Sequence, residues 1–245
     1  MSKKNVLPFV SLLFVLSFSV LTSFSVNSTK YSLFAEEIGD LNDLVRMPSM
    51  TLYGDTKSEM AFTWNTTNYD DSDLEIVKKS DGDFLNATRI TGTIEKSKVA
   101  SDGFIHRALA NNLEEDTEYL YRFGDRELGQ YSDVGEFKTS SSKKKNFKIV
   151  HLSDPQGWEK IQYDAYHDLL ENIDELEKPN FLALTGDIVN NSWAEHTPIL
   201  NQWEWALTDQ WDILKNYPIA PVSGNHDAAD NDFNSRYTLP NTSLP

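Results

Sequence analysis

The chain has 245 residues, 39% of them hydrophobic and 12% aromatic, enough apolar surface to build the core of one large domain or two smaller ones. Its 38 acidic residues outweigh 22 basic ones for a formal charge of −16. Such a field repels phosphate backbones and anionic lipid headgroups and attracts metal cations, so it argues against nucleic-acid binding and peripheral membrane attachment. With no cysteine there is no disulfide framework, no thiolate metal site and no thiol nucleophile.

Lys3 and Lys4, the apolar run 6–26 and the small and polar residues after it read as an export signal. Residues 1–35 are predicted to be removed, with Ala35 before Glu36 as one cleavage point. Their three lysines and no acid leave the remainder at −19. The alternative is retention of segment 6–26 as a membrane anchor, against which Pro8, five serines and Thr22 interrupt the run. The expectation is a secreted or extracellular protein with no stable membrane partner after cleavage. Asn65 and Asn86 stand in Asn-x-Ser/Thr sequences that matter only in a glycosylating host.

From about Arg46 to Thr139 short apolar segments alternate with turn clusters such as 70–73, 80–83 and 101–103, and no long helical period occurs. Met60-Ala-Phe-Thr-Trp64 and Tyr119-Leu-Tyr-Arg-Phe123 alternate in period two. That predicts an all-β antiparallel sandwich with one face of each sheet buried. Leu113-Glu-Glu-Asp-Thr117-Glu-Tyr119 resembles the tyrosine corner of fibronectin type III sandwiches, and Trp64 stands where such domains bury a tryptophan. Residues 36–140 are therefore read as a fibronectin III-like domain.

Ser140 to Asn146 is polar, charged and free of large apolar side chains, which predicts a linker. After it three strand-like segments each end in a polar cluster: Phe147–Ser153 in Asp154, Phe181–Thr185 in Gly186-Asp187, and Ile219–Val222 in Gly224-Asn225-His226-Asp227. Between the first two, Ile161, Ala165, Leu169, Ile173 and Leu176 recur at helical spacing; between the next two, Leu200, Trp203, Leu207, Trp211 and Leu214 do. The order βαβαβ with right-handed crossovers makes the three strands parallel and gathers their carboxyl ends on one edge, where open α/β sheets bind ligands.

Singly, Asp154, Asp187 and His226 have bland readings as turn, cap and loop residues. Together with Gln156, Asn225 and Asp227 they bring carboxylates, two side-chain amides and one imidazole to a single edge. Oxygen-rich donors of that kind suit hard or borderline metals. The ordered set Asp154-Pro-Gln156, Gly186-Asp187 and Gly224-Asn225-His226-Asp227 resembles the first half of a calcineurin-like metallophosphoesterase. The tandem with the sandwich resembles a purple-acid-phosphatase-type enzyme over roughly residues 46–230. The fold class implied is an all-β, fibronectin III-like sandwich followed by a partial α/β metallophosphoesterase domain, βαβαβ with parallel strands, over residues 141–245.

By that resemblance Asp154 ligates a first metal ion, Asp187 bridges two, Asn225 ligates the second, and His226 contacts the substrate phosphate or protonates the leaving oxygen. The cofactor implied is two divalent or trivalent ions, among iron, zinc and manganese. Gln156, where relatives carry His or Gly, either ligates the first ion or only hydrogen-bonds. Asp227 either orients His226 or caps the turn. Asn190 stands where the purple enzymes place a tyrosine, so no tyrosinate-to-iron absorption is expected. The family completes its metal shells with downstream histidines, whereas the five here are His106, His151, His167, His196 and His226. The expectation is thus a C-terminally truncated chain.

Two function classes follow. One is a secreted metal-dependent phosphoesterase acting on phosphomonoesters through a dinuclear site; the other is an extracellular sandwich serving as a non-catalytic binding module with a degenerate half-domain. Neither a nucleophile elbow nor a Gly-rich phosphate loop occurs, which removes serine-hydrolase and nucleotide-loop readings. His151, His106 and His167 read as packing, sandwich and solvent-facing residues. Oligomeric state leaves no signature.

Overall fold

A computed structural model describes residues 45–67, 72–97, 103–143, 146–190, 198–227 and 233–240. The expected leader over residues 1–35, and His196, lie outside the described residues. In the first half strands run β1 (Arg46–Thr51), β2 (Met60–Thr66), β3 (Asp73–Lys78), β4 (Thr88–Ile90), β5 (Thr93–Lys96), β6 (Phe104–Ala110), β7 (Glu118–Asp125), β8 (Gln130–Tyr131) and β9 (Gly135–Lys138). They form two layers, β1-β2-β6-β5 and β4-β3-β7-β8, with β9 also pairing to β7.

Period-two alternation places Phe62 and Trp64 inward against the facing sheet, with ring centroids 4.7 Å from Tyr121 and 4.5 Å from Phe123 respectively. Trp64 has its indole N–H satisfied by Ser72 Oγ at 2.9 Å, which lets so large a side chain sit fully buried. The Tyr119 hydroxyl accepts the Glu114 N–H at 2.9 Å, closing the expected corner. His106 stacks on Trp64 at 5.1 Å and shares a hydrogen bond with Thr66 at 2.9 Å.

The second half carries β10 (Ile149–Leu152), α1 (Lys160–Leu176), β11 (Phe181–Leu184), α2 (Ile199–Trp203), a π-helical turn (Glu204–Thr208), α3 (Trp211–Leu214), β12 (Ile219–Pro221) and α4 (Phe233–Arg236). β10, β11 and β12 are adjacent and parallel, with Leu152 opposite Leu184 and Leu184 opposite Pro221. Their carboxyl ends therefore share one edge. A capping box between Glu159 and Gln162 starts α1 after the first polar cluster.

Three sequence expectations need correction. The buried stripe of α1 is Tyr163, Tyr166, Leu170 and Ile173, whereas Ile161, Leu169 and Leu176 are exposed. Two stripes of helical period coexist in that segment, and the one rich in tyrosine wins because Tyr163 also satisfies loop groups described below. The second crossover is not one helix: the widened turn at Glu204–Thr208 separates two short helices, yet Trp203, Leu207 and Leu214 all stay buried. Finally, β2 is buried on both faces. Its polar face is covered by residues 233–240, with Thr63 Oγ1 2.8 Å from Thr238 Oγ1 while Ser49 and Thr51 on β1 donate to the Arg236 and Thr238 carbonyls at 2.7 and 2.6 Å.

The two halves also share a sheet. β1 pairs in parallel with β12 through Thr51 and Ile219, extending one seven-stranded sheet in the order β10-β11-β12-β1-β2-β6-β5. That pairing covers strand edges that each half alone leaves open. The core is continuous as well: Phe123 and Tyr121 meet Trp211 at 5.9 and 6.3 Å, and the Tyr121 hydroxyl donates to the Lys215 carbonyl at 2.8 Å.

Candidate active site

The last residues of β10 and β11 lead into two backbone reversals. Asp154 and Asp187 both adopt left-handed conformations, with φ of 57° and 50°. That region disfavours side chains other than those of Asn and Asp, and two adjacent instances at strand ends mark positions held by their surroundings. The holding contacts are visible. Asp154 N–H donates to the Gly186 carbonyl at 3.1 Å and Gln156 N–H to the Asp187 carbonyl at 3.1 Å, so the loops after β10 and β11 run side by side.

Asp187 is 9% exposed and lies at the centre of the edge. Its Oδ1 accepts the His226 N–H at 2.9 Å and its Oδ2 the Gln156 amide N–H at 3.4 Å. Asp154 is exposed and accepts a hydrogen bond from the Ser153 hydroxyl. Asn225 is exposed and His226 half-buried beside it. The structure thus brings Asp154, Gln156, Asp187 and the 224–227 loop onto one edge.

Glycine is required twice here. A Cβ on Gly186, whose φ is 98°, would lie 2.6 Å from Gly224 Cα, and one on Gly224 would lie 2.0 Å from Asp187 Oδ1. The loops after β11 and β12 therefore touch backbone to backbone. Asp227, fully buried, spans them: Oδ1 accepts the Ile188 and Val189 N–H groups at 2.8 and 3.0 Å, and Oδ2 accepts the Gly224 N–H at 3.0 Å. Burial holds its carboxyl pKa above the ordinary value, against the pull of these three amides.

Tyr163 is a residue that sequence reasoning passed over. From the buried face of α1 its hydroxyl contacts both loops, accepting the Gly157 N–H and donating to the Ile188 carbonyl, each at 3.4 Å. Burial raises its pKa, so the phenol stays protonated and able to donate. No signal in a lone sequence separates such a tyrosine from any other on a helix face. Elsewhere, His151 is exposed and shares a hydrogen bond with Thr185 Oγ1 at 2.6 Å, and His167 shares one with Gln210 Oε1 at 2.9 Å.

The donor set can be tested against a cation. Gln156 Oε1 is buried beside Asp187 without a hydrogen-bond partner, as is Asn190 Oδ1 three residues after Asp187. An acceptor oxygen lacking a donor, next to a carboxylate, fits a hard cation on donor chemistry. Among the described residues no three His, Cys, Asp or Glu side chains gather into a metal-holding group. The oxygen donors offered at the edge are the carboxylates of Asp154 and Asp187 and the amides of Gln156, Asn190 and Asn225. A separate cavity of about 350 Å³, lined in part by Leu52, Phe147, Phe181 and Pro218, lies at the opposite ends of the parallel strands.

Family models cover both halves of the chain. A family model described as "Purple acid Phosphatase, N-terminal domain" matches residues 48–139, and one described as "Calcineurin-like phosphoesterase" matches residues 147–243. Among solved structures, a purple acid phosphatase from yellow lupin (Lupinus luteus) seeds is similar at a TM-score of 0.58 and 14% identity, over 82% of this chain and 42% of its own. The chain thus spans less than half the length of the lupin protein. The fn3 domain of human contactin 1 aligns at 19% identity with a TM-score of 0.30, over 42% of this chain and 82% of that domain. No curated protein matches the chain.

Proposed function

We propose that the chain is a calcineurin-like phosphoesterase with a purple-acid-phosphatase-type domain in front, a reading supported by the family models that match residues 147–243 and 48–139, and that its strand-end edge is a metal-dependent phosphoester-hydrolysing site acting on phosphomonoesters. One observation carries this reading. Asp154 and Asp187, both in left-handed conformations at successive strand ends, are tied to each other through Gln156 and to the Asn225-His226 loop through the His226 N–H.

In this reading Asp154, Gln156, Asp187 and Asn225 would hold the ions; iron, zinc and manganese all suit such donors. Ions held there would supply an activated water near neutral pH and a positive field for the phosphoryl oxygens. The chain's own residues do the rest. Asn225 adds a ligand without adding negative charge. His226 orients the phosphate or gives its proton to the departing alkoxide, a transfer typically worth ~10²- to 10⁴-fold in rate. With Asn190 in place of a tyrosine, the loaded protein is expected to lack a tyrosinate charge-transfer band.

Secretion through the leader over residues 1–35 belongs to the same proposal, as do the boundary near residue 140 and a small phosphoester partner rather than nucleic acid. The test is phosphate release from p-nitrophenyl phosphate by the chain with added manganese, zinc or iron, alongside Asp187→Asn. Metal-dependent release abolished by the substitution supports the reading. Release that survives it refutes the assignment. The second reading, a binding module without catalysis, is favoured by the lack of a three-residue metal group among the described residues. It predicts no release under any metal.

A further inference from the structure

Two carboxylates at this edge are exchanged between loops in opposite directions. Asp187, from the loop after β11, reaches into the loop after β12 and accepts the His226 N–H at 2.9 Å. Asp227, from the loop after β12, reaches back and accepts the Ile188 and Val189 N–H groups at 2.8 and 3.0 Å. Asp227 also closes its own turn on the Gly224 N–H at 3.0 Å. The two arms cross where Gly186 and Gly224 touch, a contact so close that neither position admits a Cβ without displacement.

We infer that Asp227 is a positioning residue: with Asp187 it forms a reciprocal carboxylate clasp that fixes the Asn225-His226 turn against the bridging carboxylate. The chemistry of its two oxygens supports that role. An ionised carboxylate accepts only, and all three of its partners here are backbone donors. Asp227 is fully buried and spends three of its roughly four acceptor sites on backbone amides, so its contacts are with the two loops. What it sets is the placement of the residues on either side, Asp187 and His226. Both readings of Asp227 from sequence, orienting the histidine or capping the turn, are special cases of this wider tie. The effect on metal affinity rests on the phosphoesterase reading; the clasp itself does not.

The substitution Asp227→Asn isolates the claim. Asparagine keeps one carbonyl oxygen for Ile188 and Val189 but turns an NH₂ toward the Gly224 N–H, so donor meets donor at the turn. Amide hydrogen exchange and manganese titration are measured on the 245-residue chain and on the variant. The expected result is faster exchange at Gly224 and at His226, whose partner is Asp187 and not residue 227, together with a 10- to 100-fold weaker manganese affinity at unchanged stoichiometry. Exchange that quickens at Gly224 alone, with His226 protection and manganese affinity within twofold of the parent, overturns the inference and leaves a local turn cap. If the parent binds none of manganese, zinc and iron, the phosphoesterase reading fails, while exchange at His226 still decides the clasp. Asp227→Ser, which keeps one acceptor in a smaller volume, provides the same readouts should the Asn variant not fold.

Discussion

Gly224 leaves no room for a side chain, since a Cβ would fall 2.0 Å from Asp187 Oδ1 and 2.4 Å from Asp187 N. Gly224→Ala must therefore push Asp187 out of place. A loss of about 1–3 kcal/mol in urea unfolding, typical of overpacking, is expected together with weakened metal uptake; unchanged values for both would contradict the described contact. Glu115 offers a pH-dependent contact away from the site. The Ser142 hydroxyl, and then the Ser142 N–H, hold its carboxyl pKa below the ordinary value. A lowered folded pKa means the tie contributes above the unfolded carboxyl value and is lost as the pH falls through the folded one. Exchange at the Ser142 amide should accordingly quicken only in that acid range, and in Glu115→Gln it should show no such step. The motif residues Asp154, Asp187 and Asn225 were legible in sequence because glycines and strand ends punctuate them. Tyr163 and the crossed carboxylates were not, since their partners are backbone groups that only tertiary structure brings near.

At the scale of elements, α1 gives the sharpest comparison. Leu170 is fully buried while Leu169 beside it is 46% exposed. Leu170→Ala is expected to cost about 2–5 kcal/mol and Leu169→Gln less than about 0.5 kcal/mol in denaturant unfolding; the reverse order would mean the helix presents the stripe Ile161, Leu169 and Leu176 inward. Periodicity alone cannot choose between two stripes 100° apart when one contains tyrosines, whose hydroxyls a hydropathy count treats as polar. The same limit explains β2. Its Ala61, Thr63 and Asn65 alternate as a solvent face does, but Ser49, Thr51 and Thr63 hydroxyls pair with residues 236–238 and the face is closed by hydrogen bonds rather than by apolar contact.

Across the whole molecule, the change from a β-rich first half to a βαβαβ second half was readable from the switch between period two and period 3.6. The β1–β12 pairing was not, because a single parallel register between Thr51 and Ile219 leaves no mark on composition. The shared core makes a stability prediction: Trp211, which meets Tyr121 and Phe123 across the junction, should on substitution by Ala cost about 3–5 kcal/mol and lower both halves in one transition. Two separate transitions by tryptophan fluorescence and far-ultraviolet dichroism would show that the halves unfold independently. The central claim, that the strand-end edge is a metal site built on Asp187, is tested most directly by metal analysis of the purified chain after equilibration with manganese, zinc or iron, in parallel with Asp187→Asn. Bound metal in the parent and its loss in the variant is the result expected. Equal metal content in the two, or none in either, would contradict it.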